Sequence, residues 1–383
     1  MLLPLLLIAL AVGAAAIMAY GTDPSLAQHA HGLGMIMFSR RLEWPLVALS
    51  LILCIALLAL VISNKRRAWW LIGLAPVLAL FFHRFAPPAG GKLYVVDFVQ
   101  AAQQLVPRDD AWVVGVAFEG QSYALPYAAL YRMPVVFITD YDKRLVVLWS
   151  AYGNRALAFR VARDFKPRDL EIVSSPNDTV LIYDRRLGQF IVALTGLTPT
   201  SEKPLGIGSP IPTIKTTWAV WRKLHPDTHL MSGFENTAAP AVPIQPKMAG
   251  KSVDAIPAEK RVALVPTTQP IAIDADAITP KPANITAGPL RLLIYRDAST
   301  GFIHAMDRNV TEDLFPTFRI LITPNKKFPD AFFTDSDSNS LWTIDGRAIE
   351  GPLKGKEMKK VAIEDDLYWG VMKTWYPELQ LAK

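Results

Sequence analysis

Three uncharged apolar runs open the chain. Residues 2–19 (LLPLLLIALAVGAAAIMA) and 45–63 (PLVALSLILCIALLALVIS) each approach the roughly 20 apolar residues that cross a bilayer as a helix. Residues 68–82 (AWWLIGLAPVLALFF) reach that length with His83 to Ala86 added, and Pro76 allows a kink. The first run lacks the basic flank of a secretion signal and is read as a retained anchor. The pattern therefore predicts a membrane anchor of three transmembrane helices over 1–90.

After Pro87-Pro88-Ala89-Gly90-Gly91 the pattern shortens. Runs rich in Val, Ile, Tyr and Phe, separated by Asp, Gly, Asn and Pro, predict strands at 93–98, 112–118, 135–139, 145–149, 156–161 and 180–183. Short helices are expected at Phe98–Leu105 and Thr216–Leu224. Residues 235–289 hold nine of the 30 prolines among many Ala and Thr, which reads as an extended linker pinned along the protein's own domains or a partner.

The strand pattern then repeats. Leu181–Phe190 aligns with Phe332–Leu341, Thr195-Gly196 with Asp345-Gly346, and Pro204-Leu205-Gly206 with Pro352–Gly355. One offset of 151 relates Asp184 to Asp335, Trp218 to Trp369 and Pro226 to Pro377. The fold class expected is a membrane-anchored α+β protein: three N-terminal transmembrane helices followed by a mainly-β duplicated soluble domain. Its parts are 1–90, a strand-rich unit at 91–234, the linker at 235–289 and a second, shorter related unit at 290–383.

Composition excludes several classes. At 51% hydrophobic and 19% charged the chain is not chiefly disordered. The single Cys54 excludes an internal disulfide or a cysteine-based metal centre, and reads as a small helix- or lipid-facing residue. Residues 1–90 carry Arg40, Arg41, Lys65, Arg66, Arg67 and Arg84 against Asp23 and Glu43, a net +4 of the total +6. These are orientation signals at a membrane, not a nucleic-acid footprint. Lys65-Arg66-Arg67 places the link after the second run in the cytoplasm. The N-terminus is then cytoplasmic, and the 20–44 loop and everything after about residue 88 lie outside. Arg40 and Arg41 argue against this, whereas Trp44, Trp69 and Trp70 sit where interfacial anchors belong.

Tyr123-Ala-Leu-Pro-Tyr127, Tyr183-Asp-Arg185, and Thr216-Thr-Trp-Ala-Val-Trp221 followed by His225-Pro-Asp-Thr228 resemble motifs of the prokaryotic domain family DUF 3179. The second unit keeps a weaker form in Asn339-Ser-Leu-Trp342, Gly346-Arg-Ala348 and Gly351-Pro-Leu353. The resemblance covers most of 92–234 and 330–380. It implies two cysteines near Ser150 and Gly153, and neither is present in this chain. It implies a bacterial host and no established activity.

The candidate chemistry is thin. His29 and His31 lack further ligands nearby. Asp335-Ser-Asp-Ser-Asn339 begins like a calcium loop but has Ser340 and Gly346 where Gly and Glu are needed, which favours a turn. Asp140 and Asp142 read as a hairpin turn. Trp218 and Trp221 share a helix face and read as core anchors. His225 and Asp227 could form an acid/base pair, or simply end a helix at Pro226. Nucleophile-elbow, zinc-protease and phosphate-loop motifs are missing. No catalytic, cofactor-binding or metal-binding residue is therefore assigned. The expectation is a non-catalytic accessory subunit of the bacterial inner membrane. Its periplasmic domain would brace a larger integral membrane complex, respiratory or photosynthetic, among lipids. The alternative is a periplasmic enzyme or ligand-binding protein with a site at Asp184, Arg185, His225 and Asp227, with Trp218 alongside.

Overall fold

A computed structural model describes residues 2–29, 31–63, 94–95, 98–100, 106–140, 143–199, 201–204, 208–232, 239–267, 269–311, 314–321, 323 and 325–382. The third apolar run, the Lys65–Arg67 cluster and the Pro87–Gly91 boundary lie outside these residues.

Helices α1 (Leu2–Tyr20) and α3 (Glu43–Ser63) form a hairpin closed by Ala14, Ala15 and Met18 against Leu46. Its outer faces leave Leu5, Leu10, Ile52, Ile55 and Ile62 between 50% and 69% exposed. Contiguous exposed apolar surface of this kind is typical of faces that contact a membrane or another protein. Among the described residues one helix, over Glu43–Leu60, is long and apolar enough to cross a membrane, and Leu5–Met18 is a shorter apolar helix.

The loop expected at 20–44 is instead structured and docked. Asp23 caps a short 3₁₀ turn at Pro24–Gln28 by accepting from the Ser25 amide at 2.8 Å. Helix α2 (Gly32–Arg41) follows. Gly32 is required because a Cβ there would lie 1.6 Å from the Leu26 carbonyl oxygen. Ile36 is fully buried against Val173, Leu181, Phe190 and Val192 of the β domain. Arg40 donates from Nε (3.1 Å) and Nη2 (2.6 Å) to Glu171 and pairs with Glu43 at 2.5 Å. Its guanidinium stands 5.2 Å from the Tyr183 ring centre, and that of Arg41 stands 5.5 Å from Phe190. The two arginines that sat awkwardly in the orientation argument are thus docking residues.

From residue 94 onward the chain is mainly β. The first half contains β1 (Tyr94–Val95), β2 (Phe98–Gln100), β3 (Trp112–Phe118), β4 (Gln121–Pro126), β5 (Val135–Asp140), β6 (Lys143–Ser150), β7 (Arg155–Val161), β8 (Leu170–Ser174), β9 (Leu181–Asp184), β10 (Gln189–Val192), β11 (Leu197–Thr198), β12 (Ser201–Pro204), β13 (Gly208–Ile211), β14 (Thr213–Thr217) and β15 (His229–Met231), with α4 (Tyr127–Leu130) and α5 (Trp218–Leu224). The second half contains β16 (Ser252–Val253), β17 (Ile256–Pro257), β18 (Arg261–Val265), β19 (Ile271–Asp274), β20 (Ala283–Ala287), β21 (Leu290–Arg296), β22 (Ile303–Asp307), β23 (Phe318–Ile320), β24 (Ala331–Asp335), β25 (Leu341–Thr343), β26 (Ala348–Glu350), β27 (Lys359–Lys360), β28 (Glu364–Tyr368), α6 (Trp369–Trp375) and β29 (Gln380–Ala382).

The two halves share one topology. Order β14-β3-β4-β15 with α5 between β14 and β15 matches β28-β18-β19-β29 with α6 between β28 and β29. In both, the last strand joins parallel and the others antiparallel. The antiparallel sheet β5-β6-β7-β13 matches β20-β21-β22-β27, and β8-β9-β10 matches β23-β24-β25. The sheets stack face to face. In the first half the β5–β7 sheet is buried on both faces, by Val114, Leu125 and Tyr127 on one side and by Leu170, Ile172 and Ile182 on the other. This is why Val135–Ile138 and Leu145–Trp149 are unbroken apolar runs. Sheet β8–β10 then packs, through Val173, Phe190 and Val192, on Val262, Leu264 and α6 of the second half.

Four expectations need correction. Residues 235–289 are not an extended linker over 252–287, since β16 to β20 lie there and β18 and β19 are central strands. Pro266, Pro270, Pro280, Pro282 and Pro289 fall between strands, where a missing amide costs nothing. Averaging composition over the window hid the short strands. The second half therefore begins near residue 252, not 290, and among the described residues it has no counterpart of β1 and β2. Phe98–Gln100 is a strand rather than a helix start, because it pairs antiparallel with β15; residues 101–105 lie outside the described set. At the other expected helix, Thr216-Thr217 ends β14 and the helix begins at Trp218.

Candidate functional site

The residues singled out from sequence serve the fold. Asp184 is fully buried at the end of β9, and its Oδ1 accepts from the amides of Arg186 (2.8 Å) and Leu187 (3.3 Å). Asp335 repeats this at the end of β24. Its Oδ1 accepts from Asp337 and Ser338, and its Oδ2 from Trp342 Nε1 at 2.8 Å. The calcium-like spacing around Asp335 is thus a side-chain-capped turn. No group of three or more His, Cys, Asp or Glu among the described residues could hold a metal ion. Arg185 donates to Glu171 at 3.0 and 2.6 Å. Arg185 and Arg40 together hold the Glu171 carboxyl below its usual range despite burial, which alone would raise it.

Trp218 and Trp221 are fully buried against β3, and the Trp221 ring occupies the space where a Cβ on Gly115 would sit. Trp221 Nε1 donates to Thr228 Oγ1 at 2.9 Å, and its ring lies 4.1 Å from His225. The H-P-D-T string therefore locks the end of α5. Burial lowers the His225 pKa, and Asp227 is exposed. Asp184 and Arg185 belong to the β8–β10 sheet, and His225 and Asp227 follow α5. No hydrogen bond, ion pair or ring contact found among the described residues joins the two pairs.

The structure gathers a different set at the seam between the halves. The turn after β6 turns back at Asn154, a buried residue with φ 50°. The Tyr127 hydroxyl donates to Asn154 Oδ1 at 2.9 Å, and Asn154 Nδ2 donates to the carbonyl (2.7 Å) and Oδ2 (2.9 Å) of Asp366. Asp366 itself has φ 57° and pairs with Arg261 at 2.9 Å. Arg155 makes a bidentate pair with Glu364, 2.6 Å on each arm, and donates to the Leu194 carbonyl (2.6 Å) and the Tyr376 hydroxyl (2.8 Å). Lys215 Nζ donates to the carbonyls of Asn154 (2.5 Å) and Asp366 (3.3 Å). Burial lowers the Lys215 ammonium to about 8 against the pull of Asp366, Asp365 and Glu364. Burial would also lower Arg155, but Glu364 and Tyr376 raise it on balance. Burial pushes the Tyr127 hydroxyl well up, with help from Asp366.

Beside this seam lies a cleft of about 250 Å³, walled by Ala151 and Tyr152 of the same turn and by Tyr131, Trp149, Asp178 and Lys247. Lys247 Nζ stands 3.5 Å from Asp178 Oδ1 and 4.7 Å from the Tyr152 ring centre. Ser150 Oγ reaches the Asp178 carbonyl at 3.4 Å. A Cβ on Gly153 would lie 3.3 Å from Ser150 Oγ and 2.4 Å from Leu194 Cδ1. Positions 150 and 153 therefore face each other, with apolar packing from Leu194 and Val371 in the remaining space. The arrangement offers ion pairs and aromatic faces for contact. Ser150, the hydroxyl in this turn, is directed to a backbone carbonyl.

Sequence reading missed the seam because its partners lie far apart, 212 residues in the case of Asn154 and Asp366. The available signals were Arg155 leading the strand R-A-L-A-F-R-V and Lys215 inside T-I-K-T-T. A family model described as "Protein of unknown function (DUF3179)" matches residues 95–379. No curated protein and no solved structure matches the chain.

Proposed function

The chain belongs to the DUF3179 family, and we propose that it is a membrane-anchored, non-catalytic accessory subunit whose outer domain braces a larger membrane complex. The observation that carries this reading is the docked connector. Ile36 is buried in the β domain and Arg40 is tied to Glu171, so the apolar hairpin and the domain move as one body. A rigid joint of this kind suits a brace, because lateral contacts made in the membrane then fix the position of the domain outside it.

The same joint supports three crossings. Residues 22–41 and the β domain lie on one side of the bilayer, and α3 carries the chain to the other. The chain must return between residues 64 and 93, and the apolar run 68–82 has the composition to do so. Lys65-Arg66-Arg67 then falls at the cytoplasmic turn of the bacterial inner membrane, with the domain in the periplasm.

Mild detergent extraction followed by native electrophoresis and mass spectrometry tests the subunit reading. Co-migration with a larger assembly is expected, and migration as a lone monomer overturns it. Trypsin added to intact spheroplasts tests the orientation. Cleavage within 94–383 is expected, and cleavage at 65–67 alone reverses the topology.

A further inference from the structure

Helix α2 has two unlike faces. Ile36 is buried against the β domain, while Gly32 is buried on the Leu26 carbonyl and Ser39 against Gly21. Met35 (56% exposed) and Phe38 (58%) form a stripe on the other side, with Arg41 next in line at helical spacing. At the same end of the hairpin, Tyr20 closes α1 and Trp44 opens α3, each 70% exposed. A soluble surface has no use for four such side chains around a ten-residue helix.

We infer that α2 is an interfacial helix. Its Met35–Phe38 stripe, with Tyr20 and Trp44, sits at the boundary between lipid headgroups and acyl chains, while its buried face holds the β8–β10 sheet. The outer domain is thus seated directly on the bilayer rather than held off on a stalk. The inference rests on the anchor reading above. Lipid is the occupant because only Leu42 separates α2 from the helix that carries the apolar stretch Glu43–Leu60. Tyr and Trp are the residues that favour this depth.

Nitroxide labels introduced singly as Met35→Cys, Phe38→Cys, Ile55→Cys and Arg132→Cys into full-length Cys54→Ser protein test it. All four positions are exposed, so the labels disturb no packed side chain. The protein is placed in phosphatidylethanolamine–phosphatidylglycerol vesicles, and collision with oxygen is compared with collision with a water-soluble nickel chelate. Labels at 35 and 38 are expected to favour oxygen several-fold over the label at 132, at a shallower depth than the label at 55. Nickel access at 35 and 38 with 55 still protected overturns the inference and leaves the anchor intact. Nickel access at 55 overturns the anchor reading itself. Protection of 35 and 38 from both reagents means that protein covers the stripe, and also overturns the inference.

Discussion

At the scale of single residues, the informative groups are charges inside the protein. Lys215 is partly buried, and burial lowers its pKa to about 8. The unfolded chain holds that proton up to about 10.4, so between the two values the unfolded state binds more protons and stability rises with pH. Tyr127 has the opposite sign. Its folded pKa is raised, so stability falls once the unfolded tyrosine ionises near 10. Chemical denaturation from pH 7.5 to 10.5 is expected to show a rise of about 2–3 kcal/mol followed by a decline, and Lys215→Met is expected to flatten the rise. Gly115→Ala is expected to cost about 1–3 kcal/mol by thermal unfolding, because the new methyl meets the Trp221 ring at 2.2–2.5 Å. Little of this was visible in sequence. Trp218 and Trp221 were legible as core anchors from their spacing. Asn154, Lys215 and Asp366 acquire their roles only from neighbours brought across the seam by folding.

At the scale of elements, the connector is the joint that separates this chain from a domain on a tether. Glu171 accepts from both Arg40 and Arg185, so Glu171→Gln weakens two contacts with one change. Faster proteolysis and amide exchange over residues 22–41 are expected, with a stability loss of about 1–3 kcal/mol. Because the Glu171 pKa is lowered in the folded state, this contribution is present above the unfolded value and lost as pH falls below it. Exchange over 22–41 should therefore accelerate on acidification below about 4.3 in the native protein, and show no such step in Glu171→Gln. The first two apolar runs were legible as helices because each is an unbroken uncharged block. The docking of α2 was not, since G-L-G-M-I-M-F-S-R-R has two glycines and mixed polarity. The Pro-rich strands failed for a related reason: β18 and β19 are only five and four residues long, and the prolines around them dominate any window average.

At the scale of the whole molecule, the two halves share a topology but are not independent. The Arg155–Glu364 pair and the Asn154–Asp366 bonds cross between them, and α6 fills the space between the sheet β8–β10 and the sheet containing β18. Calorimetry is expected to show one cooperative transition for the β domain. Arg155→Leu leaves Glu364 without its buried partner and is expected to cost about 3–5 kcal/mol, enough to split the transition into two. The duplication was legible in sequence because the turn-capping aspartates and the tryptophans that open α5 and α6 sit at fixed spacing. The first strands of the second half carry no such marker.

The buried Ile36 has a consequence for how the protein is made. Arg40 and Glu171 are 131 residues apart in the chain, so at ordinary synthesis rates the connector leaves the ribosome on the order of ten seconds before its docking sheet. During that interval Leu33, Ile36 and Met37 have no protein to bury them, and in the anchor proposed above the bilayer holding the adjacent hairpin is the nearest apolar phase. On that reading the connector starts with lipid on both faces and exchanges one of them for the β8–β10 sheet. Docking is then a transfer out of lipid, made when the sheet arrives from the aqueous side.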